Sequence, residues 1–312
     1  MPRVGVLDCG SNSTRLLIAD ADGTTLQREM RITRLSAGVD ASGNLTDEAR
    51  ERSYEVLRLY RRYMDHHRVD DGLLVATSAV RDAANGAQFL ADAAAITGVE
   101  ARLLSGEEEA AYSYAGATAG LAPDERPTLI VDIGGGSTEL AVALEGRVVG
   151  YSMQLGCVRV TERALGPGVV SEERRASTRR MIEEQLDAAV AARPEFATLV
   201  GRVRLVGLAG TVATLAQLDV GLDHYDRARV HHHRLSRVAV ATWRDRLGAM
   251  TPPQRLELPG MVPGREDVLV AGLFILDAVM ERFGVDELLS SEDDILDGVA
   301  AALRERARRG DT

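Results

Sequence analysis

The sequence contains no lysine, and all 37 of its basic residues are arginine. P-loop nucleotidases need a lysine to contact the phosphates, and pyridoxal enzymes need one to form a Schiff base. Both classes of enzyme are therefore excluded. The 47 acidic residues give a net charge of −10, which argues against nonspecific binding of nucleic acid. An anionic substrate stays compatible with this charge if arginines gather at one place, because the local potential governs binding.

Cysteine and long apolar runs are also scarce. The two cysteines, Cys9 and Cys157, cannot build a disulfide framework. No stretch approaches the roughly 20 apolar residues of a membrane span, and the first three residues lead directly into a predicted strand, which leaves no room for a secretory signal. We therefore expect a cytoplasmic protein with neither membrane nor nucleic acid as a partner. At 312 residues, 45% of them apolar, the chain can form two packed domains.

The sequence does contain a glycine-rich loop between two apolar runs, at residues 130–142. The first run ends at Asp132 and predicts a strand, and the glycines that follow predict a tight turn. Glycine can adopt positive φ and lets backbone N–H groups close on a phosphate. Many glycine clusters form only turns, but this loop is a candidate phosphate-binding site, with the residues Gly134, Gly135, Gly136 and Ser137.

A second copy of the pattern lies 124 positions earlier and aligns without a gap, so that Asp8 falls on Asp132. The charged residue after the loop differs in sign, being Arg15 in the first copy and Glu139 in the second. Two such loops predict a duplicated fold with a ligand-binding cleft between its halves. The first copy adds four candidate phosphate-binding residues, Gly10, Ser11, Asn12 and Ser13.

The predicted order of elements in the first half is β-β-β-α-β-α-β-α, and the second half repeats this plan. This order is typical of the actin-like ATPase and sugar-kinase fold group. We therefore predict an α/β protein with two duplicated actin-like (ribonuclease H-like) ATPase-fold domains. The proline-bounded segment 123–127 is the best hinge, which predicts domains at 1–124 and 125–312. The last helix, about 293–308, can pack back on the first domain. We also predict a loop at 78–82 and a helix at 265–283.

Two predicted helix starts carry further candidates. Ser105 and Glu108 fit a capping box, and acidic residues suit a helix N-terminus, but Glu109 is not needed for this cap. Gly210 and Thr211 follow a predicted strand and open a helix, where backbone N–H groups can hold a phosphate or form a plain helix cap. Residues 231–233 are three histidines, which cannot all face one ion on a strand or helix, so we interpret them as a solvated segment.

With these residues in view, the chain resembles the exopolyphosphatase and guanosine pentaphosphate phosphohydrolase family over nearly its whole length. The matching segments are 8–13, 77–81, 105–110, 131–140, 207–211 and 268–276. The resemblance implies that Glu109 is catalytic and that Asp132 and Glu139 act in catalysis or metal binding. It also implies a Mg²⁺ or Mn²⁺ cofactor, for which we take Asp8, Asp132 and Glu139 as ligands. The arginines that it implies as phosphate contacts are Arg15 and Arg265. We add Arg81, in the matching segment 77–81, as a further candidate phosphate-binding residue.

The sequence departs from the family pattern in two places. Residues 295–298 read Ile-Leu-Asp-Gly where the family usually has Leu-Arg-Glu-Gly, so that Leu296 replaces an arginine. Longer members also carry a helical C-terminal domain with a His-Asp metal motif, and the given sequence stops before it. We therefore expect a preference for shorter polyphosphate chains.

The predicted function is a Mg²⁺-dependent exopolyphosphatase that releases the terminal phosphate of polyphosphate, with Glu109 as general base for the attacking water. Removal of the 5′-phosphate of guanosine pentaphosphate is the alternative within the same class. An actin-like kinase and a non-catalytic sensor of polyphosphate or alarmone are further alternatives from other classes. A homodimer is compatible with the sequence.

Overall fold

The computed structural model describes residues 2–309, and the chain divides into two compact units. The first unit runs to Gly116 and resumes at Ile295, and the second comprises Ala117–Asp294. The division therefore falls before the predicted boundary near residue 124, and the last helix of the chain belongs to the first unit.

The first part of the chain forms five strands and three helices in the order that the sequence predicts, with two additional short helices. The elements are β1 (Val4–Cys9), β2 (Ser13–Ala19), β3 (Thr25–Ile32), α1 (Val39–Ser42), α2 (Asp47–His66), β4 (Asp71–Ala76), α3 (Ser78–Arg81), α4 (Gly86–Thr97), β5 (Glu100–Leu103) and α5 (Gly106–Thr118).

The second part begins with three strands, as the first does, and ends with two long helices. Its elements are β6 (Thr128–Ile133), β7 (Thr138–Leu144), β8 (Arg147–Met153), α6 (Cys157–Val160), α7 (Glu172–Ala192), β9 (Arg204–Leu208), α8 (Ala209–Val220), α9 (Arg227–Val230), β10 (Arg234–Ser236), α10 (Arg237–Gly248), α11 (Pro252–Leu256), α12 (Leu269–Phe283), β11 (Glu287–Ser290) and α13 (Ile295–Arg309). A π-helical turn at Thr161–Leu165 and a 3₁₀ turn at Pro194–Leu199 complete it.

The sheet of the first unit has the strand order β3-β2-β1-β4-β5. Strands β1 to β3 form an antiparallel meander, and β4 and β5 continue the sheet parallel to β1. Side chains alternate across β1: Leu7 packs in the cluster that includes α2 and α4 residues, whereas Val4 and Val6 pack in the cluster that includes α13 residues. Helices thus cover both faces, which explains why β1 is buried at every residue.

The sheet of the second unit has the order β10-β11-β9-β6-β7-β8. Strands β6 to β8 repeat the antiparallel meander, and β9 and β11 continue it parallel to β6. Strand β6 is buried at every residue, like β1. The two units therefore share one plan, and the predicted fold class, two duplicated α/β domains of the actin-like type, is confirmed.

Two local predictions were wrong, both next to predicted site residues. Residues 78–81 form a helical turn, α3, because the N–H groups of Val80 and Arg81 bond to the Thr77 carbonyl. Helix α12 begins at Leu269, not at Arg265. A turn at Gly264, with φ of 88°, precedes it, and the Glu266 carboxylate accepts the Gly264 N–H at 2.6 Å. Arg265 consequently lies in irregular backbone just before the helix.

Among the described residues, no helix combines the length and apolar character that crossing a membrane requires.

Candidate active site

The predicted site residues of the first unit lie at one edge of its sheet. Strands β1, β4 and β5 are parallel neighbours, so their carboxyl ends meet at this edge. The first glycine loop follows β1, α3 with Arg81 follows β4, and α5 with Glu109 in its first turn follows β5. In open α/β sheets, ligands bind at the carboxyl ends of the strands.

The first glycine loop is held by hydrogen bonds on one side only. The Gly10 N–H closes the turn on the Ser13 carbonyl at 3.0 Å. The carbonyls of Ser11 and Asn12 accept N–H groups from residues 33–36 at 2.9–3.0 Å. Because every peptide here is trans, the N–H that follows each carbonyl points to the opposite side. The N–H groups of Asn12 and Ser13 therefore face away from residues 33–36.

A side chain of this loop supports the assignment of a ligand site. Nδ2 of Asn12 is buried and has no hydrogen-bond partner within residues 2–309. Buried polar groups are nearly always paired, so an unpaired one calls for an explanation. A phosphate oxygen held at the loop would supply the acceptor.

Asp8 and Arg15, the residues that flank this loop, face each other across β1 and β2. Oδ2 of Asp8 accepts from Nε of Arg15 at 2.9 Å and from Nη2 at 2.6 Å. Asp8 is only 2% exposed, so this is a charge-assisted pair in a largely desolvated place. The structure joins a predicted metal ligand to a predicted phosphate contact, a pairing that the sequence did not indicate.

Glu109 and Arg81 form a second pair. Nη1 of Arg81 lies 3.3 Å from Oε2 of Glu109 and donates to the Leu104 carbonyl at 2.8 Å. Glu109 is buried, and its N–H bonds to the Ser105 carbonyl at 2.9 Å. Arg81 thereby fixes the orientation of the carboxylate that the resemblance marks as catalytic.

The predicted capping box at the start of α5 is confirmed. The Ser105 N–H donates to Glu108 at 2.9 Å, and the Glu108 N–H donates to the Ser105 hydroxyl at 3.2 Å. The hydrogen bond from the Ser105 backbone is the main reason that the pKa of Glu108 is lowered. Glu108 is therefore engaged at the cap, and the neighbouring Glu109 is the one turned to Arg81.

The second glycine loop is held like the first, by hydrogen bonds that its carbonyls accept. The Gly134 N–H closes on the Ser137 carbonyl at 3.0 Å, as in the first loop. The carbonyls of Gly134, Gly135 and Gly136 all accept hydrogen bonds from α6, the last from Nε of Arg159 at 2.8 Å. The N–H groups of the next three residues, 135–137, consequently point away from α6. Such successive N–H groups form an anion-binding nest.

This packing depends on Gly156, just before α6. A Cβ at this position would lie 2.2 Å from the Gly135 carbonyl oxygen, so any other residue would push α6 off the loop. The sequence reasoning missed Arg159, whose buried side chain holds the loop. No sequence signal marked it, because its partner, the Gly136 carbonyl, is distant in the chain and is a backbone group.

Asp132 and Glu139 flank the second loop and face each other across β6 and β7. Both are buried, and Ser152 Oγ donates to Glu139 at 2.6 Å. As register partners on neighbouring antiparallel strands, the two side chains lie on the same face of the sheet. A cation offsets the repulsion between two such carboxylates, because like charges disfavour each other's ionised form. Mg²⁺ is commonly held by one or two carboxylates together with substrate phosphates. The donor set therefore fits a divalent ion.

Within residues 2–309, no group of three or more histidine, cysteine, aspartate or glutamate side chains is arranged to hold a metal. The metal that the resemblance implies would thus depend on substrate and water for its remaining ligands. The histidines at 231–233 engage other groups: His231 Nδ1 accepts the Glu292 N–H at 3.1 Å, and His233 Nε2 lies 2.9 Å from Asp219.

Arg265 lies against the start of α8, at the carboxyl end of β9. A Cβ on Gly210 would fall 1.5 Å from Nη1 of Arg265, so the guanidinium covers the glycine backbone itself. Ala209, the first residue of α8, has φ of 63°, a costly conformation for a residue with a Cβ. These features place Arg265, Gly210 and Thr211 together, and a side chain at 210 would displace the Arg265 guanidinium.

The two cysteines lie beside these groups but cannot serve as nucleophiles. Burial raises the pKa of the Cys157 thiol, although the charge of Arg265 and a hydrogen bond with Thr211 oppose the shift. Burial and the charge of Asp8 raise the pKa of Cys9. Both thiols stay protonated at neutral pH, and a thiol is a poor nucleophile.

Comparisons with known proteins identify the family to which the chain is similar. The sequence model of the Ppx/GppA phosphatase family matches residues 17–305. The chain is 38% identical to exopolyphosphatase 2 of Mycobacterium tuberculosis over 97% of its own length and 99% of that protein. It superposes on a crystal structure of an exopolyphosphatase-like protein with a TM-score of 0.91 at 33% identity, covering 98% and 99% of the two chains. For the Aquifex aeolicus Ppx/GppA protein, the TM-score is 0.79 at 27% identity, covering 100% and 99%.

The family match extends over most of the chain, and the relatives match in both sequence and structure. The protein is an enzyme that hydrolyses phosphate anhydrides, and the chain belongs to the Ppx/GppA phosphatase family.

Proposed function

We propose that this enzyme is an exopolyphosphatase, which releases the terminal phosphate of inorganic polyphosphate and requires a divalent metal ion such as Mg²⁺. The observation that carries the proposal is the second glycine loop, where three successive N–H groups are turned to one side next to two buried carboxylates. An anion nest beside a cation-binding pair suits a phosphate that carries a metal ion. The 38% identity to a protein named exopolyphosphatase 2 supports this choice.

The N–H groups of both loops and the guanidinium of Arg265 would bind phosphate oxygens. In phosphoryl transfer, charge develops on the equatorial oxygens, so fixed N–H groups and arginines stabilise the transition state more than the ground state. Arg265 suits this role because its planar guanidinium can donate two parallel hydrogen bonds to one phosphate.

Asp132 and Glu139 would hold the metal ion. A divalent ion at this place neutralises phosphate charge and makes the phosphorus more open to attack. The side chain of Ser152 keeps Glu139 oriented for this task through its 2.6 Å hydrogen bond.

Glu109 would act as general base. It accepts a proton from the attacking water as the new P–O bond forms and the bridging P–O bond breaks, and the shortened polyphosphate leaves as an anion. A positioned base contributes about 10²–10⁴ to the rate. Arg81 orients Glu109 through its contact with Oε2.

Hydrolysis of guanosine pentaphosphate is the second candidate, since the matching family is named for both activities. The test is phosphate release with Mg²⁺ from short polyphosphate, long polyphosphate and guanosine pentaphosphate in parallel, without any acceptor. We expect the highest kcat/KM on polyphosphate. A higher value on guanosine pentaphosphate would favour the second candidate. Release only after an acceptor is added would indicate a kinase, and binding without release would indicate a sensor.

A further inference from the structure

Arg255, in the short helix α11, is the largest fully buried side chain of the described residues, with 1% exposure. A buried guanidinium is costly unless its donors are all engaged. Burial lowers the pKa of Arg255, and the charge of Asp267 opposes the shift. The desolvation of this guanidinium is unfavourable, so a role must explain its presence.

The partners of Arg255 are all backbone carbonyls. Nε donates to Leu247, Nη1 to Pro167 and Glu266, and Nη2 to Gly168, each at 2.8 Å. Four of its five N–H donors are thus used, which no other side chain could match, because lysine has only three donors. The guanidinium joins three segments that are remote in sequence.

Two of these segments lead directly to the candidate site. The Glu266 carbonyl belongs to the residue after Arg265, whose own carbonyl accepts the N–H groups of Val268 and Leu269. Pro167 and Gly168 follow the π-helical turn Thr161–Leu165, which continues from α6. Helix α6 in turn holds the second glycine loop.

We propose that Arg255 is a positioning residue for Arg265: it fixes the backbone that carries this phosphate contact at a set distance from the segment that follows α6. It touches no substrate. The inference rests on the proposed function, because it takes Arg265 as a phosphate contact. The backbone just before α12 is irregular, and the Arg255 guanidinium ties its Glu266 carbonyl to the carbonyls of Pro167 and Gly168.

The variant that tests the proposal is Arg255→Lys, which retains the charge but engages at most three carbonyls. Misplacement of a contact by about 1 Å can reduce the rate 100-fold, so we expect kcat/KM on tripolyphosphate to fall by about 10- to 100-fold.

The matched control is Arg244→Lys. Arg244 is also buried in the second unit, but it pairs with Asp245 and Asp277 instead of backbone carbonyls. The Arg244→Lys variant should have a lower melting temperature but a kcat/KM within about twofold of wild type.

A double-mutant cycle separates positioning from general destabilisation. In an Arg265→Ala background, the loss of kcat/KM from Arg255→Lys should shrink to less than about twofold, because the contact that it positions is already absent. An equal loss in both backgrounds would overturn the proposal. The proposal would also be overturned if Arg255→Lys and Arg244→Lys lowered the melting temperature equally and Arg255→Lys lost no more kcat/KM than Arg244→Lys.

Hydrogen exchange gives a readout that does not depend on turnover. Arg255→Lys should speed hydrogen exchange at the Val268 and Leu269 amides, and Arg244→Lys should not. If Arg255→Lys left exchange at both amides unchanged, the proposed positioning role would be overturned. If the wild-type enzyme releases no phosphate from tripolyphosphate, the proposed function fails, and this exchange experiment decides the inference alone. If Arg255→Lys does not fold, Arg255→Gln is measured in the same way.

Discussion

In the first unit the aspartate before the glycine loop faces an arginine on the next strand, whereas in the second unit the equivalent aspartate faces a glutamate. The backbone is the same in both: Asp8 is the register partner of Arg15, and Asp132 is that of Glu139. The Asp8 carboxylate is engaged twice by the Arg15 guanidinium. Asp132 and Glu139 place two carboxylates at the equivalent position, and we propose them as metal ligands.

The comparison shows how a duplicated fold divides tasks through one change of charge. In the first unit the pair is neutral and stabilises the strand ends, and Glu109 remains as the candidate base. In the second unit both residues are acidic, and we propose that they hold a metal ion. In each loop the carbonyls accept hydrogen bonds from a neighbouring segment, so the N–H groups that follow them point the other way, where we propose that phosphate binds.

The largest expected effect tests whether Glu109 is the general base. Glu109→Gln keeps the size and the hydrogen bond to Arg81 but removes the basic group. We expect kcat to fall by about 10²–10⁴ while tripolyphosphate still binds and the Mg²⁺ requirement is unchanged. Steady-state kinetics and equilibrium binding measure the two effects. Glu108→Gln, which still completes the capping box, is the control. A Glu109→Gln enzyme with more than about a third of wild-type turnover would rule out the base assignment.

The next effect concerns the neutral pair of the first unit. Arg15→Met removes the guanidinium from the buried Asp8, and breaking a buried pair on one side costs about 3–5 kcal/mol. We expect the free energy of unfolding, from urea titration, to fall toward the lower end of this range. Adding Asp8→Asn should restore part of it. A fall below about 0.5 kcal/mol would mean that the pair contributes little. A rise in KM with a flatter salt dependence would support the phosphate contact that the sequence predicts for Arg15.

The Mg²⁺ requirement of the enzyme tests the proposed role of the acidic pair in the second unit. Asp132→Asn removes one charge from the proposed metal site, so the Mg²⁺ concentration for half-maximal activity should rise about tenfold or more. Asp8→Asn should leave this concentration within about twofold, because Asp8 already has a cationic partner. An equal rise in both variants would make Asp8 a metal ligand, as the sequence alone predicts.

The smallest effect is a pH dependence at the helix start beside Glu109. The pKa of Glu108 is lowered, chiefly by the Ser105 N–H. A carboxylate with a lowered pKa in the folded state stabilises the fold above its usual pKa, and this stabilisation is lost as the pH falls through the folded value. Wild type should therefore exceed Glu108→Gln in stability by less than about 1 kcal/mol at pH 7. The difference should shrink as the pH falls below the usual glutamate pKa of about 4.3. A difference that persists in acid would contradict this assignment.

The sequence predicted the fold, both glycine loops and the capping box, because these depend on local patterns. The strands β1 and β6 end at an aspartate and a glycine loop, and the capping box needs only residues three apart. The start of α12 was predicted four residues too early, since an apolar period does not show where a turn at Gly264 interrupts it. Arg159 and Arg255 were missed because backbone carbonyls have no sequence signature.

The sequence by itself determined that the chain is duplicated, where its two glycine loops lie, and that Arg15 and Glu139 occupy equivalent positions with opposite charge. Only the tertiary structure decided the partner of each charged group: Asp8 for Arg15, Glu109 for Arg81, and carbonyls up to 88 positions away for Arg255. The physical reason is that turns and strand periods arise from neighbours in the chain. The partner of a guanidinium is set by packing, which brings together residues that the sequence keeps apart.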